Sequence, residues 1–274
     1  MLSSLTLTLA MMASSPAGLD RYLERAIERG VPLYNNGDPA ACAAVYATAL
    51  EAAAGWQGWA DKQAEPNGLS FELQRAAALD DPSEQAWAYR RLIDRILAGE
   101  EIAMPELAAA APLYDFSDLE QLERWRIVVD GVMGGRSTGA LRLEDDVMVF
   151  TGETSLRNNG GFSSIWAPLP GGAMAGYDAL RIRVRGDGRT YILGAATRGG
   201  RGNSYWARFE TTADEWVTVT VPVTDMVRQF FGNPLPGQLD PARVRGLEFY
   251  IYDKKEGPFR LEVAQIEAVQ AGTG

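Results

Sequence analysis

The spacing of apolar residues changes near Leu113, and this change constrains the fold more than any other feature. Up to about residue 100, apolar residues recur at helical spacing, as in `LDRYLERAIERGV` from residue 19. Beyond Leu113 they alternate with polar residues, as in `LRIRVRG` from residue 180 and `LEFYIYD` from residue 247. Such alternation is expected of antiparallel strands over a core. The sequence therefore predicts an α + β multidomain chain, with an N-terminal helical bundle followed by an antiparallel β-sandwich.

Capping residues mark the predicted helices. Asp38–Pro39 and Asp81–Pro82 each place an N-cap acid before a proline at the first helical position. Gly30 and Gly99 predict helix ends, because glycine readily adopts the left-handed conformation of a C-cap. A weaker helix is expected over residues 69–79.

The predicted organisation has four segments. Residues 1–18 form an export signal or a disordered start, 19–100 a helical domain, 101–112 an Ala- and Pro-rich linker and 113–270 the β-sandwich. The apolar run `LTLTLAMMA` has the length of a signal-peptide core but lacks a preceding positive charge. An exported, periplasmic location is favoured over a cytoplasmic one, and no transmembrane segment is expected.

Composition excludes several classes of function. The net charge of −10 argues against nucleic acid as a partner, since such proteins need a basic surface. The chain has no histidine and one cysteine, which removes the usual general base and disulfides. Cys42 and Trp87 are predicted to lie in the helical core. We expect no metal, no cofactor and no catalytic residue.

The stretch `VVDGVMGGRSTGAL`, residues 128–141, resembles a phosphate-binding loop only superficially. A P-loop needs a lysine at a fixed spacing and a following helix, whereas a strand pattern follows here. The glycines instead indicate a tight corner between strands, and `RNNGGFSS` from residue 157 indicates a second one. The predicted structural residues are Asp130, Gly131, Gly134, Gly135, Ser137, Asn158, Asn159, Gly160 and Gly161.

Five segments in order carry a resemblance to a known family: `DGVMGGRSTG`, `NNGGFSS`, `YDALRIRVRGDGRTY`, `WVTVTVP` and `DKKEGPFRLEVAQI`. Together they resemble the complex I intermediate-associated protein 30 family over about Leu113 to Val269. The resemblance implies a galactose-binding-like jelly roll. It also implies a role as an assembly chaperone without catalytic residues, as in the mitochondrial members. The implied fold is similar to that of carbohydrate-binding modules.

Aromatic residues in the predicted strands are the candidate binding residues. Tyr205 and Trp206 must face opposite ways, so one of them is expected to point outward. A competing interpretation is that loops or the helical domain cover these side chains. The candidates, to which Arg181, Arg183 and Arg185 add charge, are Trp166, Tyr191, Tyr205, Trp206, Arg208, Tyr250 and Tyr252.

The leading interpretation is a non-enzymatic binding or assembly protein that recognises a protein partner through the sandwich. The alternative is a carbohydrate-binding protein of the cell envelope that uses the exposed aromatic residues. An enzyme is the third class, but the acidic residues fall in turns or on polar strand faces, and no pair is placed across a cleft.

Overall fold

The chain divides into two compact units, Met1–Glu106 and Leu107–Gly274. The structure, a computed structural model, describes residues 18–56, 68–105, 107–197, 203–230 and 232–271. The predicted export signal, apart from Gly18, lies outside the described residues. Each unit has its own apolar core.

The first unit is helical. Asp38 and Asp81 act as the predicted N-caps, because their carboxylates accept backbone N–H groups of Ala41 at 3.0 Å and of Ser83 at 2.7 Å. Gly99 follows the last helix with a φ of 73°, as a left-handed C-cap requires. The helices are α1 (Leu19–Asn35), α2 (Pro39–Ala54), α3 (Gly68–Ala78) and α4 (Pro82–Leu97).

Gly30 does not end the first helix, so that prediction was wrong. Helix α1 continues through Gly30 and Pro32 to Asn35. A Cβ atom at Gly30 would lie 2.4 Å from the ring of Tyr46 on α2. The glycine is therefore needed for close approach of two helices, and the left-handed residue after the helix is Gly37, with a φ of 84°.

Two single-residue predictions for the helical unit had opposite outcomes. Cys42 is buried, as predicted. Trp87 is 52% exposed and does not face the core. It lies one position beyond Ala86 on α4, outside the buried stripe, and its indole N–H donates to the hydroxyl of Tyr34 at 2.9 Å.

The second unit is the predicted antiparallel β-sandwich. A short helix, α5 (Leu119–Glu123), follows the first strand. The strands are β1 (Ala110–Tyr114), β2 (Arg126–Val129), β3 (Ala140–Glu144), β4 (Val147–Thr154), β5 (Ser163–Pro168), β6 (Ala179–Arg185), β7 (Thr190–Thr197), β8 (Asn203–Glu210), β9 (Trp216–Pro222), β10 (Val227–Phe230), β11 (Asn233–Pro234), β12 (Val244–Ile251) and β13 (Gly257–Val269).

These strands form two sheets that enclose one core. The six-stranded sheet has the order β3-β4-β13-β6-β9, and β1 also pairs with β13. The seven-stranded sheet has the order β11-β10-β8-β7-β12-β5-β2. Alternate residues of both sheets point inward, among them Phe150, Phe249 and Leu261, which have no exposed surface.

Part of the predicted linker 101–112 is a strand. Residues Ala110, Ala111 and Pro112 pair with Val269, Ala268 and Glu267 at the end of β13. Ile102 belongs to the helical core, with 1% of its surface exposed. The Ala- and Pro-rich composition gave no indication of the strand, because neither alanine nor proline favours strands intrinsically.

Candidate functional site

Aromatic side chains gather on the outer face of the seven-stranded sheet. On β12, Phe249 is buried in the core, so Tyr250 must point to the opposite side of the sheet. On β8, Phe209 points inward in the same way and Trp206 outward. We call the outward set the aromatic face, and it consists of Phe162, Trp166, Trp206, Tyr250 and Tyr252.

Four of the five rings of the aromatic face, all except Trp166, pack on one another. The ring centroids of Trp206 and Tyr250 are 4.8 Å apart, and the planes are tilted by 45°. Phe162 lies 6.4 Å from Tyr250 and 6.2 Å from Tyr252. Each of the five side chains is partly exposed. Rings held by their neighbours lose little conformational freedom when a ligand covers them, and this favours binding.

One row of residues crosses the middle of this face. Trp166 on β5 lies opposite Glu248 on β12, which lies opposite Gly194 on β7, which lies opposite Trp206 on β8. Trp166 and Trp206 are thus three strands apart, or about 14 Å. A Cβ atom at Gly194 would lie 2.7 Å from Oε2 of Glu248, so only glycine leaves room for that carboxyl group.

Glu248 is a buried acid on the aromatic face. Only 9% of its surface is exposed. Burial raises the pKa of its carboxyl group, although hydrogen bonds with Ser204, Trp206 and Tyr250 oppose the rise. The indole N–H of Trp206 also donates to Ser204 Oγ at 2.7 Å. Oε2 of Glu248 has no hydrogen-bond partner among the described residues.

Cations border the aromatic face. The Lys254 ammonium lies 3.8 Å from the centroid of the Tyr252 ring and 2.6 Å from its hydroxyl. The guanidinium of Arg208 donates to the backbone carbonyl of Tyr252 at 3.4 Å. An open cleft of about 550 Å³ runs beside Trp206 and Arg208, and its lining also includes Pro222 of the other sheet.

The structure brings together five of the seven predicted binding residues, namely Trp166, Trp206, Arg208, Tyr250 and Tyr252. It excludes the other two. Tyr191 has no exposed surface and its hydroxyl donates to Asp187 at 3.0 Å inside the sandwich. Tyr205 is 8% exposed, and its hydroxyl donates to the carbonyl of Gln238 at 3.1 Å. Both side chains belong to the core, because they occupy strand positions whose side chains point into the sandwich.

The three arginines of β6 also lie elsewhere. Arg181 pairs with Glu267 at 2.8 Å and Arg185 with Glu262 at 2.5 Å, on the outside of the six-stranded sheet. Arg183 and Arg185 lie over the ring of Trp216, at 5.6 and 5.2 Å from its centroid. They contribute no charge to the aromatic face.

The glycine stretch folds around the carboxylate of Asp130, which has no exposed surface. Asp130 accepts hydrogen bonds from the Ser137 N–H at 3.0 Å, the Ser137 hydroxyl at 2.6 Å and the Gly161 N–H at 2.7 Å. The Phe162 N–H adds a longer bond at 3.3 Å. Burial alone would raise the pKa of Asp130, but these hydrogen bonds outweigh it and hold the pKa below its usual value.

The two predicted corners are therefore one structure. Asp130 joins the first corner to Gly161 of the second, and Asn158 Nδ2 donates back to the carbonyl of Gly134 at 2.9 Å. A Cβ atom at Gly135 or Gly160 would collide with the Asp130 carboxylate, at 2.2 and 2.5 Å. Three backbone amides of the two corners bond to this carboxylate and are not available to a phosphate.

The remaining predicted structural residues complete the corners. Gly134, Asn158 and Gly161 have positive φ angles of 83°, 56° and 116°. Gly131 lies in the 3₁₀ turn Asp130–Met133, and Asn159 ends the 3₁₀ turn Arg157–Asn159. The second corner leads directly into Phe162, so Asp130 holds the backbone of a residue of the aromatic face.

Sequence reasoning missed two residues of the face. The candidate binding residues drawn from the sequence include neither Phe162 nor Glu248. The sequence does indicate that Glu248 lies on the same side of the sheet as Tyr250, because the two residues are two positions apart in one strand. Nothing local showed that this polar side would be covered by aromatic rings.

No described helix is long and apolar enough to cross a membrane. Over the same residues, no cluster of three or more His, Cys, Asp or Glu side chains could hold a metal ion.

Comparison with known proteins supports the resemblance found in the sequence. The family described as complex I intermediate-associated protein 30 matches residues 114–263. The chain is similar to the mouse (Mus musculus) protein "Complex I intermediate-associated protein 30, mitochondrial", with 25% identity over 244 residues, covering 72% of this chain and 74% of that protein.

Two solved structures with a similar fold are carbohydrate-binding modules from Clostridium thermocellum. A family 11 module in complex with a β-1,3-1,4-mixed-linked tetrasaccharide is 16% identical, has a TM-score of 0.45 and covers 61% of this chain and 98% of its own. The family 11 module of the cellulosomal cellulase Lic26A-Cel5E is also 16% identical, with a TM-score of 0.46 and coverage of 61% and 97%. Because the family match spans more than half of the sequence, the chain belongs to the complex I intermediate-associated protein 30 family.

Proposed function

We propose that the protein is a non-catalytic binding or assembly protein that recognises a protein partner through the aromatic face. The observation that carries this proposal is a set of five partly exposed rings on one side of one sheet, four of which pack on one another. Rigid aromatic side chains are the commonest energetic anchors of protein interfaces. Membership of the family adds that its named relative in mouse is a complex I intermediate-associated protein.

The acids of the sandwich support a binding role over a catalytic one. Asp130 is held by four hydrogen bonds, and Asp253 forms a bidentate pair with Arg189 at 2.6 and 3.0 Å. Asp187 accepts from the Arg260 N–H at 2.9 Å. Acids that hold turns in this way are occupied by structural contacts and lack the free, paired geometry of a general acid and base.

Cross-linking of the full-length protein in the cells that produce it, followed by mass spectrometry, tests the proposal. We expect one dominant protein partner whose cross-links map to the seven-stranded sheet. Trp206→Ala and Tyr252→Ala should each reduce its capture at least tenfold, as expected for interface anchors.

Trp216→Ala is the matched control. Trp216 is also a partly exposed tryptophan, but it lies on the outside of the six-stranded sheet. Equal loss of the partner in all three variants would show that the effect is not specific to the aromatic face and would count against the proposal.

A second candidate function is carbohydrate binding. The observation that favours it is the mixture of partly exposed rings with a hydrogen-bonding group, since the exposed side chain of Arg208 lies beside Trp206 and Tyr252. Sugar rings place apolar C–H faces against aromatic rings while their hydroxyls bond to polar side chains. A screen of soluble glycans against the full-length protein tests this candidate, and no saturable binding would exclude it.

A further inference from the structure

Strand β9 forms one edge of the six-stranded sheet, and its backbone is open on that side. Among the described residues, β6 is the only strand that pairs with it. The Val223 N–H donates to the Asp178 carbonyl at 2.8 Å, and the pairing of β6 with β9 continues from there without a bulge. Because bonded and non-bonded pairs alternate in antiparallel strands, the valines of β9 bond to β6. The N–H and C=O groups of Thr218 and Thr220 therefore point to the free edge.

This edge lacks the protection that edge strands usually have. Charged side chains, prolines, bulges or a short length normally prevent unwanted pairing. The other terminal strands follow this rule, since β3 contains Arg142, β2 begins with Arg126 and has four residues, and β11 has two. The sequence of β9, `WVTVTVP`, has no charge, and its proline comes last. The edge of β9 is therefore available to another strand.

A cleft of about 550 Å³ runs along this edge. Its lining includes four consecutive residues of β9, 219–222. Consecutive residues of a strand point to opposite faces, so a cleft that touches all four lies along the edge of the strand. The volume falls within the range of about 300–1,000 Å³ that is typical of ligand-binding pockets.

The cleft also opens into the space between the two sheets. Val219 on β9 and Ala207 on β8 pack against the core, yet both are partly exposed and both line the cleft. Val227 on β10 adds an apolar side chain that is 48% exposed. Arg208 and Asp225 line the cleft with opposite charges and so favour neither sign. A strand beside β9 would direct alternate side chains into this space, where apolar groups gain most from burial.

The other side of such a strand would meet positive charge. Arg183 on β6 lies opposite Thr218 on β9 and is exposed. Its guanidinium lies 5.6 Å from the centroid of the Trp216 ring on β9, and it forms no ion pair with a described residue. An added strand would lie about 4.8 Å from β9. A carboxylate on its outer face would therefore be within reach of Arg183.

We propose that the free edge of β9 binds an extended segment of a protein partner, which pairs with Thr218 and Thr220 as an additional strand. Another peptide backbone offers donors and acceptors at the spacing of these edge groups, so the open edge selects polypeptide. The segment alternates apolar residues, which face the opening between the sheets, with acidic residues, which face Arg183. This inference rests on the leading proposed function only in that the partner is a protein, and it adds the form of the segment that binds.

Peptide selection on the full-length protein tests the proposal. The probe is a phage-displayed library of random peptides, and enriched peptides are synthesised and measured by titration calorimetry. We expect enriched sequences in which apolar and acidic residues alternate. Thr220→Pro should weaken their binding about tenfold, because proline removes one edge N–H group and its hydrogen bond. Thr220→Val keeps that N–H group and is the matched control, for which we expect unchanged affinity.

A charge exchange tests the acidic side of the segment. Arg183→Glu should weaken the binding of the acidic peptides about fivefold, because a like charge replaces the attractive one. Peptides with lysine in place of the acidic residues should recover that loss on Arg183→Glu. Equal affinity of both peptide types for both proteins would refute the role of Arg183.

Amide hydrogen exchange measured by NMR locates the bound peptide. In the free protein, the amides of Thr218 and Thr220 should exchange faster than those of Val219 and Val221, which bond to β6. The peptide should slow exchange of the two threonine amides and leave the valine amides unchanged. Near-UV circular dichroism checks the fold of Thr220→Pro, since edge strands accept proline where the N–H faces solvent. If this variant did not fold, Thr218→Pro would replace it.

The inference is overturned by the absence of enriched peptides, by equal affinity for the folded proline variant, or by unchanged exchange at Thr218 and Thr220. A dimer that Thr220→Pro dissociates would assign the edge to a second copy of the chain and also refute it. Peptides that need Trp206 but not Thr220 would bind the aromatic face, which refutes the edge site and leaves the leading proposed function standing. If the peptides bind as expected but capture of the cellular partner does not need Trp206 or Tyr252, the edge site stands and that function falls.

Discussion

At the scale of single residues, Asp130 explains the glycine-rich stretch better than any ligand does. Residues 130–137 and 158–162 meet at its carboxylate. Only glycine fits at positions 135 and 160, because the carboxylate occupies the space that a Cβ atom would need. A buried carboxylate with several hydrogen bonds tolerates little change, because loss of a partner leaves a buried charge without compensation.

The first prediction concerns two glycines of the same stretch. Gly135→Ala should destabilise the sandwich by about 2–3 kcal/mol, because the new methyl group would overlap the Asp130 carboxylate. Gly131→Ala should change stability by less than about 0.5 kcal/mol, because Gly131 is exposed and its Cβ would meet only Val129, at 3.8 Å. Urea unfolding measures both, and similar losses would contradict the account of Asp130.

The second prediction is that Asp130 and Glu248 give stability opposite dependences on pH. The pKa of Asp130 is lowered by folding, so its stabilisation is complete above the unfolded value of about 3.9 and is lost as pH falls through the folded value. The pKa of Glu248 is raised by folding, so its protonated form favours the native state. Its contribution declines as pH rises from about 4.3 through the folded value.

Urea titrations of two amide variants at acidic and neutral pH check these signs. Asp130→Asn should remove part of the loss of stability at low pH, although it is less stable at neutral pH. Glu248→Gln should remove part of the decline towards neutral pH. Profiles parallel to that of the natural protein would refute the assignment of these two groups.

At the scale of elements, two glycines are required because a neighbouring helix or strand lies close to the backbone. Gly30 has the identity of a helix C-cap, yet it lies inside α1 where Tyr46 of α2 crosses. Gly194 interrupts a strand pattern because Glu248 needs the space above it. In both cases the neighbouring element, and not the local chain, requires glycine.

The third prediction separates packing from capping in the helical unit. Gly30→Ala should destabilise this unit by about 1–3 kcal/mol through overlap with the Tyr46 ring, although alanine is the better helix former. Gly55→Ala, whose nearest atom would be the Ala52 carbonyl oxygen at 3.8 Å, should change stability by less than about 0.5 kcal/mol. Thermal unfolding followed at helical wavelengths compares them, and a stabilising Gly30→Ala would show that the contact is absent.

At the scale of the whole molecule, the first strand of the sandwich, β1, pairs with the last, β13. Tyr114 on β1 is buried, its ring lies under Arg124, and its hydroxyl donates to the carbonyl of Pro168 at 2.5 Å. The same strand pairs with the end of β13. The sandwich therefore begins before residue 113, the boundary that the change of period suggested.

The fourth prediction is that a fragment of residues 107–274 folds alone and a fragment of residues 115–274 is much less stable. The shorter fragment loses β1 and the buried ring of Tyr114, at a cost of about 3–5 kcal/mol. Circular dichroism and size-exclusion chromatography compare the two fragments. Equal stability would show that β1 is dispensable, and failure of the longer fragment would show that the sandwich depends on the helical unit.

The sequence by itself determined the two structural classes, the strands that begin near residues 180 and 247, and the N-caps Asp38 and Asp81, because these depend on neighbours within a few residues. Alternation also determined that Tyr205 and Trp206 face opposite ways. Only the tertiary structure decided which of them faces outward, since that depends on which side of the sheet covers the core.

The contacts that form the candidate site could not be predicted from local sequence patterns either, because they join residues that are far apart in the chain. Asp130 and Gly161 are 31 positions apart and Glu248 lies farther still along the chain. Strand pairing brings Trp166, Glu248, Gly194 and Trp206 into one row from four separate segments. Periodicity records which side of an element is apolar, whereas pairing between distant elements decides which polar groups and rings meet on the other side.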